Sequence, residues 1–151
     1  MKVFLSHSHE DINYAKQIKE ALKPNCDVYI ASEDRQPGKP LSEKIEAAIR
    51  SCSFLVALLT KEAESSPWVH QEIGFARACK INIILLVDQD IKPKGMPEGL
   101  EYIVFDRRNP EIAIKNLNEF MSRKKKEKDL NDLFVLSLLI GGLIALIGKA
   151  K

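Results

Sequence analysis

Residues 54–59, FLVALL, are apolar without a break, and residues 81–87, INIILLV, repeat the pattern with Asn82 as the one polar member. A strand with one wet face alternates, whereas a strand covered on both faces reads as a continuous run. Such strands demand helices above and below them. Helical periods precede both runs: Ile45, Ala48, Ile49 and Cys52 before the first, and Val69, Ile73 and Ala76 before the second. Residues 3–6 (VFLS), 28–31 (VYIA) and 102–105 (YIVF) supply three shorter strands. Ile12, Ala15, Ile18 and Leu22 follow the first of these at helical spacing, and a last helix opens at Pro110 and runs through Ile114, Leu117 and Phe120 to about Ser122. This alternation specifies an α/β fold: a flavodoxin-like, five-stranded parallel sheet in the order 2-1-3-4-5 with helices on both faces. In that order the chain reverses direction across the sheet between its first and third strands. The loops after Leu5 and Leu59 then border one crevice, where ligands bind in folds of this kind.

A chain of 151 residues holds one domain with a proper core. Its net charge of +2 comes from 23 basic and 21 acidic residues, and Arg123, Lys124, Lys125 and Lys126 place four positive charges in one run. Without that run the domain is slightly acidic, which argues against a nucleic-acid-binding surface. Cys26, Cys52 and Cys79 are widely spaced in apolar surroundings and read as reduced core residues of a cytosolic protein. The amino terminus opens directly on strand-forming Lys2, Val3 and Phe4, so no secretory signal is expected.

Two loops and one helix gather the chemistry. Residues 32–41 contain Pro37, Gly38 and Pro40, which exclude a regular element, and their length marks a loop with a task. Ser8 and Asp11 fit a capping box at the start of the first helix; the same loop could equally face a ligand. In the stretch SSPWVHQEIGFARA, residues 65–78, Ser66 suits an N-cap and Pro67 the first helical position. Trp68 and Glu72 are four residues apart and share one side of that helix, beside the apolar stripe of Val69, Ile73 and Ala76. Glu72 should therefore sit at the edge of the buried face. The plain alternative is a solvated glutamate beside a core tryptophan.

The tail divides in two. Residues 123–132 are charged and read as a linker, and residues 133–148, LFVLSLLIGGLIALIG, carry no charge. As a helix they would be apolar on every side and roughly 24 Å long, against a hydrocarbon core of ~30 Å. A membrane anchor is one reading of this C-terminal hydrophobic helix, with the excess of basic residues on its N-terminal side keeping the domain cytoplasmic. An oligomerisation helix or an element docked on the domain is the other, and Gly141-Gly142 would permit close helix packing.

Taken in order, residues 3–8 (VFLSHS), the loop 32–41 with Pro37-Gly38, and residues 66–73 (SPWVHQEI) resemble a TIR domain over residues 1–122. The resemblance is strongest to prokaryotic TIR proteins and to the animal axon-degeneration TIR enzyme, in which the glutamate of a Trp-x-x-x-Glu segment cleaves NAD. It implies Glu72 as the catalytic residue and Ser6, Ser8, His9, Gln36, Gly38 and Trp68 as substrate-binding residues. It also implies that the loop 32–41 closes over the nucleotide and helps TIR domains self-associate, and that the product is ADP-ribose or a cyclic isomer. A role in defence or cell death follows by the same analogy.

One carboxylate suffices for such a reaction. Nicotinamide departs as a neutral base from a cationic ring, so no general acid is required, unlike ordinary glycoside hydrolysis. A carboxylate at the ribose face stabilises the developing positive charge or traps it covalently. NAD+ is then a substrate, and no cofactor or metal is called for; His7, His9 and His70 define no tetrahedral set. Two other functions fit the sequence: a non-catalytic TIR scaffold that binds its partner through residues 32–41, and an enzyme like the nucleoside deoxyribosyltransferases.

Overall fold

The computed structural model describes residues 1–33 and 40–149, with side chains as far as residue 140. Its strands are β1 (Lys2–Ser6), β2 (Asp27–Tyr29), β3 (Phe54–Leu59), β4 (Asn82–Asp88) and β5 (Tyr102–Phe105). All neighbours are parallel and the order is β2-β1-β3-β4-β5, as the apolar patterning requires. The register sets Val3 beside both Val28 and Phe54, and Ser6 beside Ala57. β3 therefore runs two residues past the end of β1 at the reversal point.

The helices are α1 (Ile12–Leu22), α2 (Leu41–Ser51), α3 (Lys61–Glu64), α4 (Pro67–Ala78) and α5 (Pro110–Lys149). The strand pleat sends successive side chains to opposite faces. Val3, Leu5, Val56 and Leu58 pack with Ile18 and Leu22 of α1 and Leu117 and Met121 of α5. Phe4, Leu55, Ala57 and Leu59 pack with Ile49 of α2 and with Ile73 and Ala76 of α4. All of β3 is buried, which explains its unbroken apolar sequence. Each large aliphatic side chain so buried contributes about 1.5–3 kcal/mol.

Local chemistry moves several boundaries. β2 ends at Tyr29, and Ala31 enters a single 3-10 turn, Ala31–Glu33, instead of extending the strand. Pro40, extended at ψ 138°, holds the capping position of α2, and Ser42 lies within the first turn. The short α3 was not evident from the sequence; it forms because the Thr60 hydroxyl accepts a hydrogen bond from the Ala63 N–H at 3.1 Å. α4 ends in a paired closure, with Ile81 N–H to the Ala76 carbonyl at 2.9 Å and Lys80 N–H to the Arg77 carbonyl at 3.0 Å. Lys80 adopts the left-handed φ of 57° that this closure needs.

The largest difference is at the C-terminus. α5 does not stop near Ser122 but continues through residues 123–132, which are helical. No glycine or proline occurs between Pro110 and Gly141, and Lys, Glu and Leu are strong helix formers. Lys124 and Glu127 pair at 2.8 Å along the surface. Ala113, Ile114, Leu117 and Met121 are the residues that fasten α5 to the core, while Leu130 and Leu133 to Leu136 are more than half exposed. Among the described residues no helix is long and apolar enough to cross a membrane. That finding gives no support to a spanning anchor over residues 133–148, an uncharged stretch that Asp132 and Lys149 confine to 16 residues. The side chains of its second half, residues 141–148, lie outside those described.

Candidate active site

α4 carries Glu72 to the crevice between the ends of β1 and β3. Pro67 fixes the first helical position, and Ser66 precedes it in extended conformation without a side-chain capping hydrogen bond. Five residues on, Glu72 emerges beside Ile73, and only 8% of it is exposed. Burial of its carboxyl raises its pKa from 4.5 to about 7, a rise moderated by the Ser6 hydroxyl, which donates to Oε2. A titrating carboxyl at the foot of a crevice is a recurring mark of a functional site.

The crevice encloses about 540 Å³, within the range of small-molecule sites. The loop after β1 supplies His7, Ser8 and His9 to its wall; α2 supplies Leu41 and Ile45; α4 supplies Trp68 and Glu72. Trp68 is not a core tryptophan: 56% of it is exposed, and it stands over the mouth. A second hollow of about 240 Å³ lies between α2 and α4, floored by Ile45, Ile49 and Phe75, and it also reaches Trp68 and Glu72. Glu72 is thus approached from two sides.

Of the residues singled out in the sequence, Ser8, His9, Trp68 and Glu72 converge on this crevice. Ser6 is buried behind Glu72 and contacts the carboxyl instead of forming part of the wall. Gln36 and Gly38 lie outside the described residues. His7 Nδ1 donates to the Ser8 carbonyl at 2.5 Å, and His70 Nε2 donates to the Glu64 carbonyl at 2.8 Å, so both rings are engaged in local backbone bonds. Among the described residues no group of three or more His, Cys, Asp or Glu side chains is arranged to hold a metal ion.

Two arrangements escaped the sequence reading. The first joins Ser8, Asp11 and Thr60, all buried, in place of the anticipated capping box. The Ser8 hydroxyl donates to the Asp11 carboxylate and makes no cap bond. The second is Arg107, whose guanidinium donates to Asp88 at 2.6 Å and also to Glu62, a residue of the crevice wall. These bonds hold the Arg107 pKa above its ordinary value and that of Glu62 below it. A polar Thr60 closing a fully apolar strand was the one available signal for the first. Nothing in the sequence spacing marks the second.

The family model for the TIR domain matches residues 3–118. The chain belongs to the TIR domain family. No curated protein matches the sequence. Among solved structures, this TIR domain resembles that of the Toll-related receptor TRR-2 from Hydra magnipapillata, with a TM-score of 0.66 at 13% identity over 80% of this chain and 97% of that one. A CMP N-glycosidase from Clostridium botulinum matches with a TM-score of 0.59 at 21% identity, over 78% and 99% of the two chains. The TIR domains of the activated Roq1 resistosome, which recognises the pathogen effector XopQ, match at 0.54 and 19% identity over 87% and 98%. At these identities the likeness is one of fold.

Proposed function

We propose that this TIR protein is an NAD+ glycohydrolase or cyclase that breaks the bond between nicotinamide and ribose, with Glu72 as its catalytic carboxylate. The observation that carries the proposal is the Glu72 carboxyl itself, buried at the foot of a ligand-sized crevice beside an exposed tryptophan and titrating near neutral pH. In its ionised form the carboxylate faces the anomeric carbon as positive charge develops there, and the poorly solvated surroundings strengthen its field. Nicotinamide leaves as a neutral base, with the electron pair of the broken bond returning to its ring nitrogen. Water then attacks the ribosyl cation, or its glutamyl ester, to give ADP-ribose; attack by the adenine ring gives a cyclic isomer. Trp68 offers a ring face to a planar base, a contact worth about 1–3 kcal/mol. Ser8 offers a polar contact to the sugar hydroxyls and His9 one to the phosphates, and Gln36 and Gly38 of the loop 32–41 are assigned to the nucleotide as well.

Residues 1–122 form the catalytic unit in this reading, and self-association of TIR domains is what activates it, in a defence or cell-death response. The Roq1 relative is a structure of TIR domains within a resistosome, which supports assembly as the regulated step. The CMP N-glycosidase of similar fold supports N-glycosyl chemistry in an architecture of this kind. The test is to incubate the purified full chain at rising concentration with NAD+ and follow nicotinamide release, beside Glu72→Ala. Release that disappears in folded Glu72→Ala is expected, and release that persists there would refute the assignment. Parallel incubation with CMP and with deoxynucleosides separates the reading from an N-glycosidase or deoxyribosyltransferase of other specificity. Concentration-dependent assembly with no NAD+ consumed would make the domain a scaffold.

A further inference from the structure

We propose that Asp11 is a positioning residue that ties the loop after β1 to the turn after β3 and fixes the Ser8 hydroxyl as a hydrogen-bond acceptor for substrate. Its kinetic consequence rests on the glycohydrolase reading above; its structural consequence does not. Asp11 is 2% exposed, and one oxygen of its carboxylate, Oδ2, receives the Ser8 hydroxyl at 2.6 Å and the Thr60 hydroxyl at 2.5 Å. Thr60, wholly buried, in turn accepts the Ala63 N–H and so anchors the start of α3. The Asp11 N–H donates to the Ser8 carbonyl at 3.1 Å, which closes the first loop on itself. Because Ser6 and Ala57 are register partners, these bonds cross the reversal point of the sheet.

A merely cohesive contact at this position would not need a carboxylate, since an apolar pair holds two loops without the desolvation of a charge. What the carboxylate adds is direction. Each hydroxyl has one proton, and both protons are committed to Oδ2. Ser8, which borders the crevice, therefore has only lone pairs left for a ligand and can take a sugar hydroxyl as donor. Thr60 has spent one of its lone pairs on Ala63. Asp11 thereby sets both the place and the polarity of the Ser8 contact, and it does so without reaching the substrate.

The test uses the full chain with Asp11→Ala, Thr60→Val and Ser8→Ala, each checked for a folded far-ultraviolet spectrum; Asp11→Asn, which keeps one oxygen able to accept both hydroxyls, should restore wild-type behaviour, and Thr60→Val carries the exchange measurement if Asp11→Ala fails to fold. Amide hydrogen exchange without NAD+ should quicken about tenfold or more in residues 7–12 and 60–64 together, while β4 stays protected. KM for NAD+ should rise about tenfold in Asp11→Ala with kcat changed by less than about threefold, as expected for a lost ground-state hydrogen bond. Ser8→Ala should match it, and the double variant should be no worse than either single variant. Unchanged exchange at residues 60–64 in Asp11→Ala, or at residues 7–12 in Thr60→Val, would overturn the tie, and additive losses in the double variant would overturn action through Ser8. If wild-type protein releases no nicotinamide, the glycohydrolase reading fails on its own and the exchange experiment still decides the tie.

Discussion

The hydroxyl of Ser6, at the end of β1, donates to the carboxyl of Glu72 in the middle of α4, joining two residues 66 positions apart in the chain. Both are buried, so the bond is made in a medium that disfavours the charge it stabilises. Desolvation pushes the Glu72 pKa up to about 7, and Ser6 pulls against it. The ionised form needed at a ribosyl cation is then available around neutral pH and is sensitive to the Ser6 donor.

That opposition gives a stability prediction. Between pH 4.5 and about 7 the folded protein keeps a proton on Glu72 that an unfolded chain has released, so this group's contribution declines as pH rises through the window. The decline is about 3 kcal/mol in order of magnitude. Glu72→Gln has no such term. It should match wild type in urea unfolding near pH 4 and exceed it above pH 8, while nicotinamide release falls about a thousandfold or more. A Gln variant that is no more stable at alkaline than at acid pH, relative to wild type, would count against a buried, titrating Glu72.

Ser6→Ala removes the donor that favours the ionised form, so the Glu72 pKa should climb further. The limb of the rate profile that reports it moves to higher pH. Turnover should fall at pH 7 and recover by pH 9, whereas a loss that is equal at every pH would mean that Ser6 acts only through packing.

Trp68 is exposed enough that its removal should hardly disturb folding. We expect Trp68→Ala to shift Tm by no more than about 2 °C and to raise KM for NAD+ about tenfold or more. Trp68→Phe should recover most of that loss. Equal KM values for the wild type and Trp68→Ala would remove the ring from substrate binding.

Arg107 bridges Glu62 on α3 and Asp88 at the end of β4. These groups are partly exposed, so Arg107→Ala should cost only about 1 kcal/mol, less in molar salt. The freed Glu62 carboxylate borders the crevice and should repel the NAD+ diphosphate, raising KM at low ionic strength. A KM that does not depend on salt in the variant would place the effect elsewhere.

Shortening the chain after residue 128 removes no residue that the two cores contain among the described residues, of which Met121 is the last buried one in α5. The truncated protein should keep its Tm within about 2 °C. If assembly rests on the tail, sedimentation of the full chain should show larger species that the shortened chain lacks; identical profiles would assign assembly to the folded domain.

Fold class was legible because parallel strands buried on both faces leave runs such as residues 54–59, and because helical periods lie between them. Glu72 was legible from its spacing to Trp68 at the start of a helix. The partners of these residues were not. Ser6 reads as the polar end of a strand whether it faces solvent or a carboxyl, and the bonds from Asp11 to Thr60 span 49 positions with no local mark. The full length of the C-terminal helix is hidden in the sequence because a charged stretch without apolar period resembles a linker. Helix continuity there depends on backbone propensity and a preformed N-terminal half, not on burial.

The unbroken α5 has a geometric consequence. From Met121, fixed in the core, to Lys149 the helix rises roughly 42 Å, and a rod of this kind transmits twist as well as distance. Whatever takes hold of its far end also dictates which way the crevice mouth points. One residue inserted within 123–132 would turn the domain by about 100° about the rod, and seven would bring it back to within about 20° of its starting azimuth. The length of the stretch 123–132 therefore sets the azimuth of the crevice relative to the far end of the helix.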